Sequence, residues 1–330
     1  MRHPEQVFAW VLVAKGQATQ ALQWQSLQND LSPGPDEVVV RNEFIGLNPV
    51  DWKMIRNWPP FWEQGHIPGV DGAGRVCKVG SKVTGITPGQ RVCYHQDLHR
   101  PGSFASHTVV SSKALLQVPD TLPLSTAAAL PCPLMTAWQA IEKIPHRPDA
   151  QVLITGAGGM VGRFLVQLAA KRGFRVTVMA SARHAAALRQ LGAQAVVDWA
   201  VQGKPGQYFA VFDTVNAEHA AGLTDQIEAN GHILCIQDRL DSPPVPAFDK
   251  ALSIHEVALN ALHWLGSERQ WQEFCRAGEQ LLVMVAQERL SLPPPHIEPV
   301  SELPAALELT TTLDRPLKTV IDSRYLPNKE

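Results

Sequence analysis

The chain has 330 residues, of which 45% are hydrophobic and 18% charged, and its formal net charge is −2. A single hydrophobic core stops growing at roughly 250–300 residues, so this length predicts two domains. The balanced charge offers no broad positive surface for nucleic acid, and no apolar run approaches the ~20 residues that cross a bilayer. We therefore expect neither nucleic acid nor a membrane as a partner. No signal-peptide cleavage site follows the first apolar run, so we expect a cytoplasmic protein.

The five cysteines predict reduced thiols, because they are odd in number, scattered along the chain and free of C-x-x-C pairs. A structural zinc cluster is therefore not expected. Cys93, His95 and His99 lie close together in the segment RVCYHQDLHR and offer thiolate and imidazole ligands. Their spacing matches no zinc pattern, and loop histidines are commonly solvated polar groups, so we predict no metal site.

The first third of the chain alternates short strand-forming runs with glycine and proline, which predicts a compact strand-rich domain. An alanine-rich helical pattern begins at Ser125, and strands and helices then alternate. The predicted strands are 152–155, 175–180, 195–198, 210–215 and 232–236, and the predicted helices are 161–172, 183–191 and 220–229. Strands separated by helices indicate an α/β fold with a doubly wound parallel sheet.

The tail holds a predicted long helix at 268–288, the proline-rich segment SLPPPHIEPV, and a closing helix and strand. Taken together, these patterns divide the chain into a strand-rich domain at 1–125, a dinucleotide-binding domain at 126–265 and a C-terminal segment at 266–330.

The segment VLITGAGGMVG is a buried strand that breaks into glycines and leads directly into a helix. Such a turn presents backbone N–H groups and the positive end of the helix dipole to an anion. The three places of a dinucleotide motif fall on Ala157, Gly159 and Gly162. We expect this turn to bind a dinucleotide; an ordinary tight turn is the alternative. The residues expected to bind it are Ala157, Gly158, Gly159, Met160 and Val161.

The end of the second strand, RVTVMASARHAAA, lacks the acidic residue that usually holds the ribose hydroxyl of NAD. Ser181, Arg183 and His184 offer instead a hydroxyl, a permanent cation and a titratable ring. These groups suit a 2′-phosphate, so the predicted cofactor is NADP(H). The alternative is that Arg183 and His184 decorate a solvated helical turn.

Four motifs in order, NPVDWK from Asn48, HIPGVDGAG from His66, GSFA from Gly102 and the glycine turn, resemble the medium-chain dehydrogenase/reductase superfamily. The chain looks most like its zinc-independent quinone oxidoreductase branch. The resemblance covers almost the whole length and implies a Rossmann domain beside a GroES-like catalytic domain built from both ends of the chain. Homodimers are common among such proteins.

The resemblance also contains informative departures. Zinc-dependent relatives place a cysteine ligand at Asn48 or its near neighbours and a His-Glu pair at Val70-Asp71. Valine cannot ligate a metal, and a catalytic zinc needs about three protein ligands. A zinc-free enzyme can still pass hydride to an electron-poor acceptor if it aligns the reactants and stabilises the developing oxyanion. Quinones and α,β-unsaturated carbonyls suit this chemistry.

Three residues are candidates for catalysis. Asn48 can orient the cofactor or an acceptor carbonyl, or it can simply precede Pro49 as a turn residue. Lys53 can donate to an oxyanion or form a solvated pair with Asp51, and Tyr94, like His95, can relay a proton at the end of a strand.

An aromatic segment, NWPPFWEQGHIPG, contributes Trp58, Phe61 and Trp62, which can form a wall for a flat substrate or cover their own core. By resemblance, Thr136 faces the cofactor, Asn216 approaches it near the diphosphate or nicotinamide ribose, and Trp199 packs near the adenosine. Their structural alternatives are a helix-interior hydroxyl, a loop amide and a core aromatic.

The sequence leaves three functions open. The first is an NADPH-dependent, zinc-independent reductase of quinones or activated C=C bonds. The second keeps the fold and reduces enoyl thioesters, or acts as an alcohol dehydrogenase. The third is a regulatory protein that holds NADPH without turnover, since no compelling catalytic acid is present.

Overall fold

The computed structural model describes residues 5–29, 31–200, 203–312 and 317–325. Its strands are β1 (Glu5–Leu12), β2 (Leu22–Asn29), β3 (Glu37–Gly46), β4 (Asp71–Val79), β5 (Arg91–His95), β6 (His107–Ser111), β7 (Leu115–Gln117), β8 (Gln151–Thr155), β9 (Arg175–Met179), β10 (Ala195–Val197), β11 (Tyr208–Asp213), β12 (Ile227–Cys235), β13 (Ser253–Glu256), β14 (His296–Pro299) and β15 (Thr319–Asp322). Its α-helices are α1 (Ala18–Ala21), α2 (Pro49–Asn57), α3 (Leu124–Ala128), α4 (Pro131–Glu142), α5 (Met160–Lys171), α6 (Ala185–Gln190), α7 (Ala217–Gly222), α8 (Asn260–Leu265), α9 (Glu268–Ala286) and α10 (Leu303–Leu309).

The chain divides into two compact units. The first comprises Met1–Cys132, Asn260–Arg289 and Pro293–Glu330, and the second comprises Pro133–Leu259 and Leu290–Leu292. The divisions therefore lie after 132 and 259, where the sequence suggested 125 and 265. The first boundary lies at 132, later than predicted, because α3 packs on β3 and β4 of the strand-rich unit. The second lies at 259, earlier than predicted, because α8 is hydrogen-bonded to the loop after β5.

The first unit is the strand-rich one. Its main sheet has the order β14-β15-β3-β4-β5-β7, with β6 paired to β3, and β1 and β2 form a separate antiparallel pair. The C-terminal strand β15 pairs with β3 from the N-terminal third, so both ends of the chain build one sheet. The alternation of buried and half-buried residues in β6 is typical of an antiparallel strand with one more closely packed face.

The second unit contains a parallel sheet in the order β10-β9-β8-β11-β12-β13. Every residue of β11 is buried, as expected for a central strand covered by helices on both faces. The order reverses between β8 and β11, which is the point where doubly wound sheets bind ligands at the carboxyl ends of their strands. The predicted α/β fold, with a doubly wound parallel sheet in one unit and a strand-rich second unit, is confirmed.

One predicted element is wrong. The helix expected at 220–229 is the shorter and earlier α7, and β12 already begins at Ile227. Alanines favoured a helix there, but Ile227 is fully buried against the sheet. The register of β12 against β11 shifts between Tyr208 and Ala210, and Asn230 in this bulge has a φ of 59°. The sequence patterns did not predict the edge strand β13.

Candidate functional site

The glycine turn joins β8 to α5, with Gly159 as the N-cap of the helix. Gly156 has a φ of 60°, and a Cβ at that position would lie 2.1 Å from Thr214 Oγ1. The tight turn therefore depends on Gly156, because the left-handed conformation and the close contact both exclude a side chain. This glycine directly precedes the Ala157, Gly159 and Gly162 register, which stays a prediction for cofactor binding.

Gly162 performs the packing role that the motif predicts for its last glycine. A Cβ on Gly162 would lie 2.5 Å from Ala157 Cα and 2.9 Å from the Gly156 carbonyl oxygen. The first turn of α5 can therefore approach the preceding strand only without a side chain at this position.

Replacing Gly162 by alanine is expected to lower the free energy of unfolding by about 1–3 kcal/mol, because backbone atoms must move to admit the new methyl group. The measurement is the urea midpoint followed by far-ultraviolet circular dichroism. Gly222→Ala is the matched control, since a Cβ on this glycine of α7 would meet no atom within 4 Å. Equal stability losses in the two variants would contradict the packing argument.

Two basic side chains, Arg163 and His184, lie at Gly158, and a third, Arg183, contacts His184. The His184 ring lies so close that a Cβ on Gly158 would be 2.5 Å from His184 Cδ2. Arg163 Nε donates to the Gly158 carbonyl oxygen at 3.1 Å, and Arg183 Nε donates to His184 Nε2 at 3.2 Å. Burial lowers the pKa of His184, and the neighbouring Arg163 and Arg183 lower it further. The sequence missed Arg163, whose i+5 spacing from Gly158 in the first turn of α5 is the signal that could have found it.

The turn suits the pyrophosphate of a dinucleotide. Gly158 and Gly159 leave the backbone bare at the N-terminus of the 12-residue helix α5, where N–H groups and the helix dipole favour anions. The segment at 180–184, which follows β9, contains no carboxylate and carries Arg183 and His184. A second anionic group beside the pyrophosphate would meet positive charge there instead of repulsion.

A histidine–aspartate pair lies at the carboxyl end of β11. Buried Asp213 accepts hydrogen bonds from Thr155 Oγ1 at 2.8 Å, from the N–H of Val215 at 2.8 Å and from His219 Nδ1. The His219 ring also meets the edge of Trp199, with centroids 5.5 Å apart. Sequence reasoning missed His219, because one histidine six residues after a strand carries no recognisable signal.

The remaining residues expected at the cofactor have identifiable local roles. Asn216 is the N-cap of α7, and its Oδ1 accepts the N–H of His219 at 2.8 Å. Trp199 is 44% exposed, so it is not a core aromatic. Thr136 is half-buried within α4, and Ser181 is exposed. Their contacts with a cofactor stay predictions.

Asn48 lies in a buried polar cluster of the first unit. Its Nδ2 donates to Asp71 Oδ2 at 2.9 Å and to the Gly46 carbonyl oxygen at 3.2 Å, while its Oδ1 accepts from Lys318 Nζ at 2.6 Å. Lys318 also donates to the Leu47 carbonyl oxygen at 2.9 Å and lies 3.8 Å from Asp71 Oδ2. Both polar atoms of the Asn48 side-chain amide, Nδ2 and Oδ1, are thus hydrogen-bonded within the protein.

The same cluster holds two buried carboxyl groups. Asp51 accepts the N–H groups of Asn48 at 2.8 Å and Val70 at 3.1 Å, and Asp71 accepts the N–H of Cys132 at 3.0 Å. Burial raises the pKa of Asp51 to about 7 and that of Asp71 to about 6, although Lys318 lowers both. Asp51 is 1% exposed, so the alternative of a solvated surface pair is wrong for this residue.

Tyr94 is fully buried in β5, and its hydroxyl donates to Asn42 Oδ1 at 2.8 Å. The phenol occupies the space above Gly72, where a Cβ would lie 2.4 Å from the hydroxyl oxygen. Burial raises the pKa of Tyr94 well above its usual value. These contacts favour a structural role, and the proton-relay role stays a prediction.

The aromatic segment after α2 divides between interior and surface. Trp62 is 4% exposed and Trp58 is half-buried, whereas Phe61 is 39% exposed. Trp58 Nε1 donates to the Trp62 carbonyl oxygen at 2.7 Å, and Trp62 Nε1 donates to the Leu98 carbonyl oxygen at 2.6 Å. Lys53 lies with Nζ 5.6 Å from the Trp52 ring centroid. Of the three predicted wall residues, Phe61 presents the most ring surface to solvent.

Within the described ranges, no three His, Cys, Asp or Glu side chains are grouped so that they could hold a metal ion. Cys93, His95 and His99 are not grouped in this way. None of the helices in this described part of the chain has the length and apolar character needed to cross a membrane.

Comparisons with known proteins agree with this architecture. Residues 34–120 match the alcohol dehydrogenase GroES-like domain. The chain is 34% identical to a trans-enoyl reductase of Aspergillus flavipes over 51% of its own length and 53% of the relative. It is 32% identical to a chloroplast envelope quinone oxidoreductase homolog of Arabidopsis thaliana over 62% of its own length and 67% of the relative.

A solved quinone oxidoreductase from Coxiella burnetii has the same fold, with a TM-score of 0.80 at 21% identity, covering 97% of this chain and 100% of that one. The chain spans about half to two thirds of the length of the curated relatives it matches. Because the chain is 32% identical to the Arabidopsis relative over two thirds of that protein and shares the two-domain fold, it belongs to the medium-chain dehydrogenase/reductase superfamily, among the quinone oxidoreductase-like members.

Proposed function

We propose that this protein is an NADPH-dependent oxidoreductase that reduces a quinone or an α,β-unsaturated carbonyl without a catalytic metal. The observation that carries the proposal is the basic group at the glycine turn: Arg163 and His184 lie at Gly158, and Arg183 contacts His184. The names of the relatives, quinone oxidoreductase and trans-enoyl reductase, favour a conjugated acceptor.

The residues that would hold the cofactor lie at the carboxyl edge of the parallel sheet. Gly158 and Gly159 would receive the pyrophosphate at the start of α5, and Arg183 with His184 would receive the 2′-phosphate. Trp199 and His219 would contact the adenosine. A bound nicotinamide supplies hydride, and this chain's residues bind and orient the reactants.

The buried cluster around Asn48 would act as a rigid support. Lys318, Asp71 and Asn48 are locked by mutual hydrogen bonds, so they would hold the loop between β3 and α2 in one geometry. Asn48 is 2% exposed and its amide is fully engaged, which favours positioning over direct contact with an acceptor.

Turnover of NADPH with a panel of quinones and enones tests the proposal. We expect loss of NADPH absorbance with at least one acceptor, faster than with NADH, and unchanged after chelator treatment and dialysis. Elemental analysis of the active protein should find no stoichiometric metal. Tight NADPH binding without turnover on any acceptor would instead favour a regulatory protein.

Reduction of enoyl thioesters is the second candidate, favoured by the Aspergillus relative. The same assay with crotonyl coenzyme A separates the two substrates. Faster turnover of the thioester than of every quinone and simple enone would replace the first proposal with the second.

A further inference from the structure

Two histidines lie side by side on the parallel sheet of the second unit. His232 belongs to β12 and His255 to the neighbouring strand β13, where His255 is paired with Leu234. Because residues two positions apart on a strand share a face, His232 lies on the same face of the sheet as Leu234 and His255. His232 Nδ1 and His255 Nε2 are 3.0 Å apart, and the ring centroids are 5.3 Å apart with an interplanar angle of 29°. The facing nitrogens therefore share one hydrogen.

The sheet holds this histidine pair in a defined geometry. The parallel ladder between β12 and β13 runs from His232 to Cys235 and from Ser253 to Glu256, so it fixes the backbone of both histidines. The His232 ring also meets the Phe209 ring edge to face, with centroids 4.9 Å apart at 78°. Both histidines are half-buried and keep some exposure to solvent. A pair fixed in this way loses little conformational entropy when both rings bind a common ligand.

The charges around the pair leave nitrogen lone pairs available. Burial lowers the pKa of His232 although Glu228 acts to raise it, and burial, His232 and Lys143 lower the pKa of His255. Both rings are therefore neutral at pH 7, and a neutral imidazole has one nitrogen lone pair that can bind a metal ion. Glu228 and Lys143 carry opposite charges, so the surroundings add no net positive charge that would repel a cation.

The spacing of the two nitrogens matches two neighbouring ligands of one ion. An imidazole nitrogen lies about 2.0–2.1 Å from a bound zinc ion, so two such nitrogens are about 2.9 Å apart at a right angle and about 3.3 Å apart at a tetrahedral angle. The distance of 3.0 Å between His232 Nδ1 and His255 Nε2 is nearer to the right angle. Right angles between ligands are typical of square-planar and tetragonal copper(II) and nickel(II), and copper(II) binds nitrogen ligands most tightly in the divalent series.

We infer that His232 Nδ1 and His255 Nε2 together bind one divalent transition-metal ion that takes ligands at right angles, copper(II) more tightly than nickel(II). The shared hydrogen moves to the other nitrogen of its own ring, so both imidazoles bind in the neutral form and no proton is released. Water completes the coordination, because in the part of the chain that the structure describes no third His, Cys, Asp or Glu joins the group. The positions of the zinc ligands in metal-dependent relatives lie at Asn48 and at Val70-Asp71, so this pair is a different site.

Titration calorimetry of the full chain with Ni²⁺ tests the inference, because Ni²⁺ does not oxidise the five cysteine thiols. Every protein in the comparison carries His3→Ala, so that a histidine at the third position of the sequence cannot compete for the ion. His232→Asn and His255→Gln each place an amide close to the position of the ligating nitrogen, which removes the ligand but keeps a hydrogen-bonding group. Loss of a group that merely supports a ligand costs roughly 10- to 100-fold in metal affinity, so loss of either ligand should weaken Ni²⁺ at least tenfold.

Two further proteins make the comparison specific. His146→Asn is the matched control, because His146 is an exposed histidine of the same unit outside the pair, and its replacement should leave the Ni²⁺ affinity unchanged. The protein with both His232→Asn and His255→Gln should bind about as weakly as either single variant, since the loss of one ring already breaks the chelate. Unchanged affinity in correctly folded His232→Asn or His255→Gln protein would overturn the inference. So would the finding that each single variant loses one of two separately bound ions.

Electron paramagnetic resonance with one equivalent of Cu²⁺ counts the ligating nitrogens directly. We expect an axial spectrum with hyperfine splitting from two imidazole nitrogens, reduced to one nitrogen in His255→Gln. A spectrum that is the same in the two proteins would contradict a site shared by both rings. Because only two side chains hold the ion, chelator treatment should remove it, and the NADPH turnover expected of chelator-treated protein neither depends on this site nor tests it.

Discussion

Replacing Lys318 by methionine is expected to lower the free energy of unfolding by about 3–5 kcal/mol near pH 8, the usual cost of leaving a buried charge without its partner. Lys318 is 6% exposed, and its ammonium group is held by the Leu47 carbonyl oxygen and Asn48 Oδ1 beside Asp71. Methionine fills a similar volume but satisfies none of these groups. Urea denaturation at fixed pH measures the loss.

The loss should depend on pH in a defined direction. The pKa of Asp51 is raised from 3.8 to about 7 in the folded protein, and that of Asp71 to about 6. An acid with a raised folded pKa contributes stability that is complete below its unfolded pKa and is lost as pH rises through the folded value. Both carboxyls are therefore mostly neutral near pH 5 and charged near pH 8, so Lys318 matters more at the higher pH.

A matched control separates this electrostatic effect from a general effect of losing a lysine. Lys15 is exposed in the turn after β1, and Lys15→Met should change the free energy of unfolding by no more than about 0.5 kcal/mol at either pH. A Lys318→Met penalty that is the same at pH 5 and pH 8 would contradict the assigned role of the two carboxyls.

Arg183→Ala is expected to weaken NADPH binding roughly 10- to 100-fold and NADH binding much less, because a hydrogen bond between two charged groups contributes about 1.5–3 kcal/mol. Titration calorimetry measures the ratio of the variant's dissociation constant to that of the wild type, once for NADPH and once for NADH. Arg189→Ala is the control on the helix that follows Arg183, since Arg189 is exposed in the last turn of α6. Equal losses for NADPH and NADH in Arg183→Ala would exclude a 2′-phosphate contact.

His184 adds a proton-linked signature to the same site. Burial, Arg163 and Arg183 lower its pKa in the free protein, and a bound phosphate would raise it again. NADPH binding should therefore take up protons near neutral pH, whereas NADH binding should not. Calorimetry in buffers of different ionisation enthalpy measures the uptake, and proton uptake that is the same for both cofactors would contradict a phosphate contact at His184.

Local sequence patterns were sufficient for much of the second unit. A strand, a glycine turn and a helix are defined by neighbouring residues, so VLITGAGGMVG predicted β8, the turn and α5. Arg183 and His184 were predicted to bind the cofactor because they follow the next strand directly. The same local reasoning failed at 220–229, where alanines favour a helix but the burial of Ile227 in the sheet determines a strand.

The amino-acid sequence by itself determined the class of this protein: two domains, a parallel sheet with a dinucleotide turn, and a basic segment in place of an acid. Only the tertiary structure decided which distant groups meet. Lys318 reaches Asn48 across 270 positions of sequence, and Trp264 reaches Asp97 across 167. Such contacts have no periodic signature, because they depend on how β15 pairs with β3 and how α8 returns to the loop after β5, and a linear pattern records only neighbours along the chain.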